Sequence, residues 1–165
     1  MSAVTSFGPI ADQAARVLVL GSMPGVQSLK LNQYYAHPRN AFWRIMADIY
    51  GFSAELPYEN RIERLQASGV ALWDVLHTCV RPGSLDSAIK TGSRESNDFR
   101  PFFKRHAAIR LVGFNGAEAE RSFNTYVLHR LNVRGVRFVR LPSTSPAHGL
   151  SIERKAAAWR EAFSV

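Results

Sequence analysis

Apolar residues along this chain fall into short runs rich in Val, Leu and Ile, separated by stretches with helical spacing. Val17-Leu18-Val19-Leu20, closed by Gly21, reads as a strand buried on both faces. Phe42, Trp43, Ile45, Met46, Ile49 and Tyr50 recur at helical intervals and stop at Gly51, and Tyr58–Ser68 repeats the pattern with Gly69 as its C-cap. Val70–Leu76 predicts a second strand, Ile109–Phe114 a third and Val136–Leu141 a fourth. Between them lie a helix capped by Asp98 that carries Phe99, Phe102 and Phe103, and another over Ala117–Arg130; Ser151–Phe163 closes the chain as a helix. Arg81–Asn97, rich in Gly, Ser and charge, reads as a mobile loop. Strands alternating with helices predict an α/β fold with a parallel sheet covered on both faces, organised as a single domain over residues 1–165.

Ligands of such sheets bind beyond the carboxyl ends of the strands. Four segments should therefore meet at one site: Gly21–Asn40, His77–Ser87, Phe114–Gly116 and Pro142–Leu150. Gly21-Ser22-Met23-Pro24-Gly25-Val26-Gln27-Ser28 has neither the Lys nor the glycine spacing of a phosphate loop, so it is either a tight turn or a backbone wall for a planar ligand. Tyr34–Trp43 packs four aromatics and His37 around Asn40, a composition suited to stacking on a base. Asn40 also sits where an ordinary helix cap would, and capping and catalysis are compatible roles. Ser143, Thr144 and Ser145, held between Pro142 and Pro146, form a hydroxyl-rich loop fit to contact phosphates, or alternatively a plain Ser/Thr turn. Asp74 and Asn115 each end a strand on the same edge; Asp74 is a structural carboxylate or a loop organiser, and Asn115 is favoured for ligand contact.

Composition narrows the chemistry. The single cysteine, Cys79, permits no internal disulfide, no Cys/His cluster has zinc spacing, and no apolar run is long enough for a membrane span. Neither a carboxylate pair spaced for ordinary glycoside hydrolysis nor a lysine set in an apolar run for Schiff-base chemistry is visible. The net charge is +8, and it is uneven: residues 1–82 carry seven Lys/Arg against six Asp/Glu, residues 83–165 fourteen against seven. Anionic partners follow, and most of the basic residues are Arg, whose planar fork suits phosphate.

Gly21-Ser22-Met23-Pro24-Gly25, Tyr34–Trp43, Leu72-Trp73-Asp74-Val75, Gly83-Ser84-Leu85-Asp86-Ser87, Phe114-Asn115-Gly116 and Leu141–Ala147 together resemble, in order and over nearly the whole chain, the uracil-DNA glycosylase superfamily and its hypoxanthine-DNA glycosylase branch. The resemblance implies a three-layer α/β/α sandwich on a four-stranded parallel sheet. It also implies a monofunctional enzyme, without metal or cofactor, that flips a deaminated base out of DNA and hydrolyses its bond to deoxyribose. Uracil-specific relatives place Asp or Asn just after the first strand; here Ser22 stands there, which leaves Asn40 as the catalytic residue. On this reading Ser22, Met23, Pro24, Gly25 and Asn115 read the base edge and Tyr35 or Phe42 stacks on its face. Ser143, Thr144, Ser145, Pro146 and His148 engage the DNA. Uracil or mismatch specificity, or a binding module without chemistry, are the alternatives. A monomeric, cytoplasmic, nucleoid-associated protein is expected.

Overall fold

The computed structural model describes residues 2–164. In chain order it comprises β1 (Val4–Thr5), β2 (Val17–Gly21), α1 (Val26–Leu31), α2 (Phe42–Tyr50), α3 (Tyr58–Ala67), β3 (Val70–Asp74), β4 (Leu76–Cys79), β5 (Glu95–Ser96), α4 (Phe99–Arg105), β6 (Leu111–Asn115), α5 (Ala117–Tyr126), β7 (Arg137–Leu141) and α6 (Ile152–Phe163). The expected four strands form one parallel sheet in the order β3-β2-β6-β7. In-register pairing sets Gly21 beside Asp74 and Asn115 beside Leu141, so all four carboxyl ends open on one edge.

Period-two alternation along these strands divides the core. Leu18, Leu20, Ala71, Trp73, Val112 and Phe114 point to one face, where α4 and α5 supply Phe99, Phe102, Phe103 and Phe123. Val19, Val70, Leu72 and Leu141 point to the other, against Phe42, Ile45, Met46, Leu65 and Trp159 of α2, α3 and α6. Each fully buried aromatic or aliphatic side chain contributes about 1.5–3 kcal/mol by leaving water, which makes the sheet a rigid base for its edge loops. Asp98 accepts the Arg100 N–H at 3.2 Å and Ser151 accepts the Arg154 N–H at 3.3 Å, capping α4 and α6.

Three features depart from the sequence expectation. The strand read as Val70–Leu76 divides at Val75. The Val75 and Leu76 amides turn back to donate to the carbonyls of Gly21 and Ser22, at 2.8 and 3.1 Å, and β4 leaves to join a small antiparallel sheet, β1-β4-β5. The helix expected over Ala117–Arg130 ends at Tyr126 and continues as a 3-10 turn over Leu128–Arg130. The Arg81–Asn97 excursion is pinned rather than free: Arg94 grips Glu118 at the start of α5 at 3.0 Å, and Arg81, buried, donates to the carbonyls of Met23, Pro24 and Gly83. Among the described residues, no helix is long and apolar enough to cross a membrane.

Candidate active site

The carboxyl edge of the sheet holds a cavity of about 730 Å³, walled by all four predicted segments. Residues 21–28 form one side and Tyr34, Tyr35, His37, Arg39 and Asn40 another; Ser84–Ser87, the Asn115–Glu118 turn and Ser143–His148 complete it.

Its floor is Gly21, Asp74 and Tyr35. A Cβ placed on Gly21 would lie 2.5 Å from Asp74 Oδ1 and 3.3 Å from the Tyr35 hydroxyl, so only glycine allows both side chains to converge there. Tyr35 reaches this point from a left-handed backbone, φ 54°, with its ring stacked on Phe42 at a centroid distance of 4.0 Å. That conformation costs on the order of 1–2 kcal/mol for a non-glycine residue, and strain of this kind persists where surrounding packing enforces it. Asp74 Oδ2 and Tyr35 Oη are both buried and make no well-formed hydrogen bond, the Asn115 side chain lying beside the tyrosine hydroxyl. Burial pushes the Asp74 carboxyl up to about 7, with Asp86 adding to the rise and the Arg81 guanidinium opposing it. Burial, and then the Asp74 charge, also drives the Tyr35 hydroxyl well above its ordinary range, so it stays a donor at any ordinary pH.

Nearer the mouth the Ser22 hydroxyl donates to Asp86 Oδ1 at 2.6 Å. Desolvation raises the Asp86 carboxyl, the Ser22 bond works against that, and the Glu118 charge adds to it. Glu118 itself is buried under Arg94, Arg121 and the Ser122 hydroxyl. Asn40 lies on the wall, its Oδ1 accepting the Phe42 N–H at 2.9 Å and its Nδ2 free. It therefore caps the start of α2 while presenting an amide to the cavity.

The sequence profile of the "Uracil DNA glycosylase superfamily" matches residues 7–163. The chain belongs to that superfamily. It is 34% identical over 158 residues, 95% of this chain and 96% of its relative, to "Hypoxanthine DNA glycosylase" of Methanosarcina barkeri. To the protein of the same description from Methanosarcina acetivorans it is 31% identical over 160 residues, again 95% and 96% of the two chains. A solution NMR structure described as a candidate uracil DNA glycosylase from Methanosarcina acetivorans superposes with a TM-score of 0.80 at 29% identity, covering 97% of this chain and 98% of that one. The α/β/α architecture is the superfamily's fold.

Within this glycosylase fold the expected residues fall into place unevenly. Ser22, Met23, Pro24, Gly25, Tyr35, Asn40, Asn115, Ser143, Thr144, Ser145, Pro146 and His148 all line the cavity. Phe42 does not: it is fully buried behind the Tyr35 ring, so stacking on a base is closed to it. Asn115, expected to read the ligand, spends its amide internally, Nδ2 donating to Thr144 Oγ1 and Oδ1 accepting the Thr144 N–H, both at 2.9 Å. Thr144 is correspondingly 1% exposed and faces the protein rather than DNA. Its neighbours keep their hydroxyl protons free: Ser143 Oγ accepts the Ser145 N–H and Ser145 Oγ accepts the Ala147 N–H, each at 3.2 Å. Lys155, buried in α6 and pushed down by desolvation, donates to the Ser145 carbonyl at 2.9 Å, and the Trp159 indole donates to the Pro142 carbonyl at the same distance.

Sequence reasoning set Asp74 at the site edge and Asp86 in a site segment but gave neither a role in the cavity that both line. The available signal was a carboxylate ending an otherwise apolar strand, Val70-Ala71-Leu72-Trp73-Asp74, where the sheet meets its ligand.

Proposed function

We propose that the protein removes hypoxanthine from deoxyinosine in DNA, hydrolysing the N-glycosidic bond and leaving an abasic site. The observation that carries this reading is the pair of unmatched polar atoms on the cavity floor. Hypoxanthine presents an N1–H donor beside its O6 acceptor, and Asp74 Oδ2 and Tyr35 Oη, neither held in a well-formed hydrogen bond, offer an acceptor and a donor, with the Asn115 side chain beside the tyrosine hydroxyl. Adenine presents the opposite pattern, a lone pair at N1 beside an amino group, and would set acceptor against acceptor. The names of the relatives and the family profile support the same activity.

The reaction then follows from what each group can do. The inosine nucleotide leaves the stack with its phosphates held by the free hydroxyls of Ser143 and Ser145 and by Arg39 at the rim; weak pairing of a deaminated base lowers the cost of extrusion. Tyr35 receives the base over its ring edge and donates to O6, where negative charge grows as the C1′–N9 bond breaks. Asn40 orients a water toward C1′; the water's oxygen bonds to C1′ while the C1′–N9 electron pair leaves with the base, and the proton the water sheds ends on the departing hypoxanthine anion. The carboxylates of Asp74, Asp86 and Glu118 line the same cavity and favour the oxocarbenium-like sugar. Ser22 and Asp86 act as a pair, the hydroxyl fixing the carboxylate that faces the sugar. We place the protein on DNA as a monomer in the cytoplasm, at the nucleoid.

Uracil shares the same edge pattern, N3–H beside O4, and is the second candidate base. Parallel single-turnover assays on duplexes carrying inosine, uracil and mismatched thymine, read as alkali-labile abasic sites, decide between them. Cleavage fastest at inosine is the expected result; cleavage of none of the three, with DNA binding retained, would leave a binding module.

A further inference from the structure

The charge excess that marks this chain lies away from the cavity. Its lining carries Arg39 and Arg121 against Asp74, Asp86 and Glu118. The opposite end of the sheet is different. Arg16 immediately precedes β2, Arg110 immediately precedes β6, and Arg137 opens β7, and these are three neighbouring strands. The Arg110 N–H donates to the Arg16 carbonyl at 2.8 Å and the Arg137 N–H to the Arg110 carbonyl at 2.9 Å, so the three arginines form a row along the amino edge. Lys104 and Arg105, in the last turn of α4, and Arg134, on the turn entering β7, extend the row. All six are exposed, and none forms an ion pair among the described residues. Asp12, beside His106, and Glu161, near the end of α6 that Arg137 touches, are acidic residues close by.

We propose that this amino-edge face is a second DNA-backbone site, which holds the phosphates of a duplex segment other than the one whose base occupies the cavity. Strands of five residues separate the two ends by about 17 Å, close to the width of a duplex, so one straight segment cannot touch both. Among the described residues no cluster of exposed apolar side chains competes for a protein partner here: Val26 and Leu85 line the cavity, Ile152 opens α6 just after the cavity loop, and Leu31 and Leu128 stand singly. A row of unpaired guanidinium groups without an apolar anchor fits phosphates. Holding a second segment lets the protein pass between duplexes without dissociating into solution. This inference rests on DNA being the substrate polymer.

The test uses the R16E/R105E/R134E variant, because these three side chains make no hydrogen bond that the fold depends on, and R16K/R105K/R134K as the charge-preserving control. Sedimentation with an excess of undamaged duplex of about 12 bp, at low salt, should show two duplexes on the natural protein and on the lysine variant, and one on the reversal variant. Binding of the second duplex should fall with salt at a log–log slope of about −5 if all six basic residues meet phosphates, roughly −0.9 for each released counterion. Single-turnover excision from a saturating short inosine duplex should be the same in all three proteins. Two duplexes on the reversal variant, or one on the natural protein, overturns the proposal. So does loss of the first duplex in the reversal variant, since the face would then belong to the substrate site. Absence of inosine excision in every protein would instead strike the substrate assignment and leave the stoichiometry to be read on its own.

Discussion

Asn115 grips Thr144 by both ends of its amide, and the Thr144 carbonyl in turn accepts the Ala41 N–H at 3.0 Å. Ala41 directly follows Asn40. The strand end, the hydroxyl-rich loop and the wall carrying the proposed catalytic amide are thus joined through one buried threonine. If Asn115 acts through Thr144, Asn115→Ala leaves the buried Thr144 N–H unpaired, costs about 1–3 kcal/mol in stability and slows excision about tenfold or more. Asn115→Ala combined with Thr144→Val should lose little beyond either change alone in single-turnover kinetics. Losses that multiply would return Asn115 to direct contact with the base.

Asn40 has two duties that substitution separates. Asn40→Ser keeps an oxygen to accept the Phe42 N–H and should retain stability to within a few tenths of a kcal/mol, whereas Asn40→Ala loses about 1 kcal/mol through the missing cap. Both should lose about 100-fold or more in excision, since neither presents an amide to the attacking water. Urea melting and single-turnover rates on the inosine duplex measure the two effects independently. Full activity in Asn40→Ser would remove Asn40 from the chemistry.

Asp74 makes the protein sensitive to pH in a definite direction. Its carboxyl holds its proton up to about 7 in the folded chain and releases it near the ordinary value of 3.8 once unfolded. Between those values the folded state binds more protons, so stability contributed at this position is full below the lower pKa and is lost as pH rises toward the upper one. Asp74→Asn should therefore gain stability over the natural protein as pH rises through that window and hold a constant advantage above it. Activity should move oppositely: the ionised carboxylate accepts N1–H, so hypoxanthine excision rises through about pH 7 in the natural protein, and this limb should be absent from Asp74→Asn. An unchanged pH profile in the variant would rule Asp74 out of base recognition.

Much of the fold could be read from the chain because its signals were strong and local. Val17–Leu20 is an unbroken apolar run closed by Gly21, the aromatic helix from Phe42 is long enough to show its period and stops at Gly51, and Asp98 marks the start of α4. β1 and β5 are two residues each, too short for any period, and α1 exposes Val26 and Leu31, so its apolar pattern carries no face. The break at Val75 is invisible for another reason: Leu76 is as apolar and buried as the strand before it, and only the antiparallel pairing of Leu76–Cys79 with β1 and β5 reveals the change of sheet. Cavity segments were legible because parallel strands bring their carboxyl ends together. Individual roles within them were not, since whether Asn115 faces a ligand or Thr144 depends on a residue 29 positions away.

Gly21→Ala offers a compact test of the floor. The added methyl must displace the Asp74 carboxylate 2.5 Å away, while the strand around it is buried and well paired. The protein should fold, with a stability loss of about 1–3 kcal/mol, and excision should fall at least as far as in Asp74→Ala. Retained hypoxanthine cleavage would show that Asp74 and Tyr35 need not converge.

The three carboxylates of the cavity have a consequence for how a nucleotide can lie in it. A phosphodiester driven to the floor would meet the buried Asp74, ionised above about pH 7, with Asp86 and Glu118 above it against the lining's Arg39 and Arg121, so like charges repel it from the interior. A neutral purine meets no such barrier. The cavity thus sorts the two halves of each nucleotide by charge: the backbone is kept toward the hydroxyl-lined lip, and a strand enters base first, past the wall that carries Asn40.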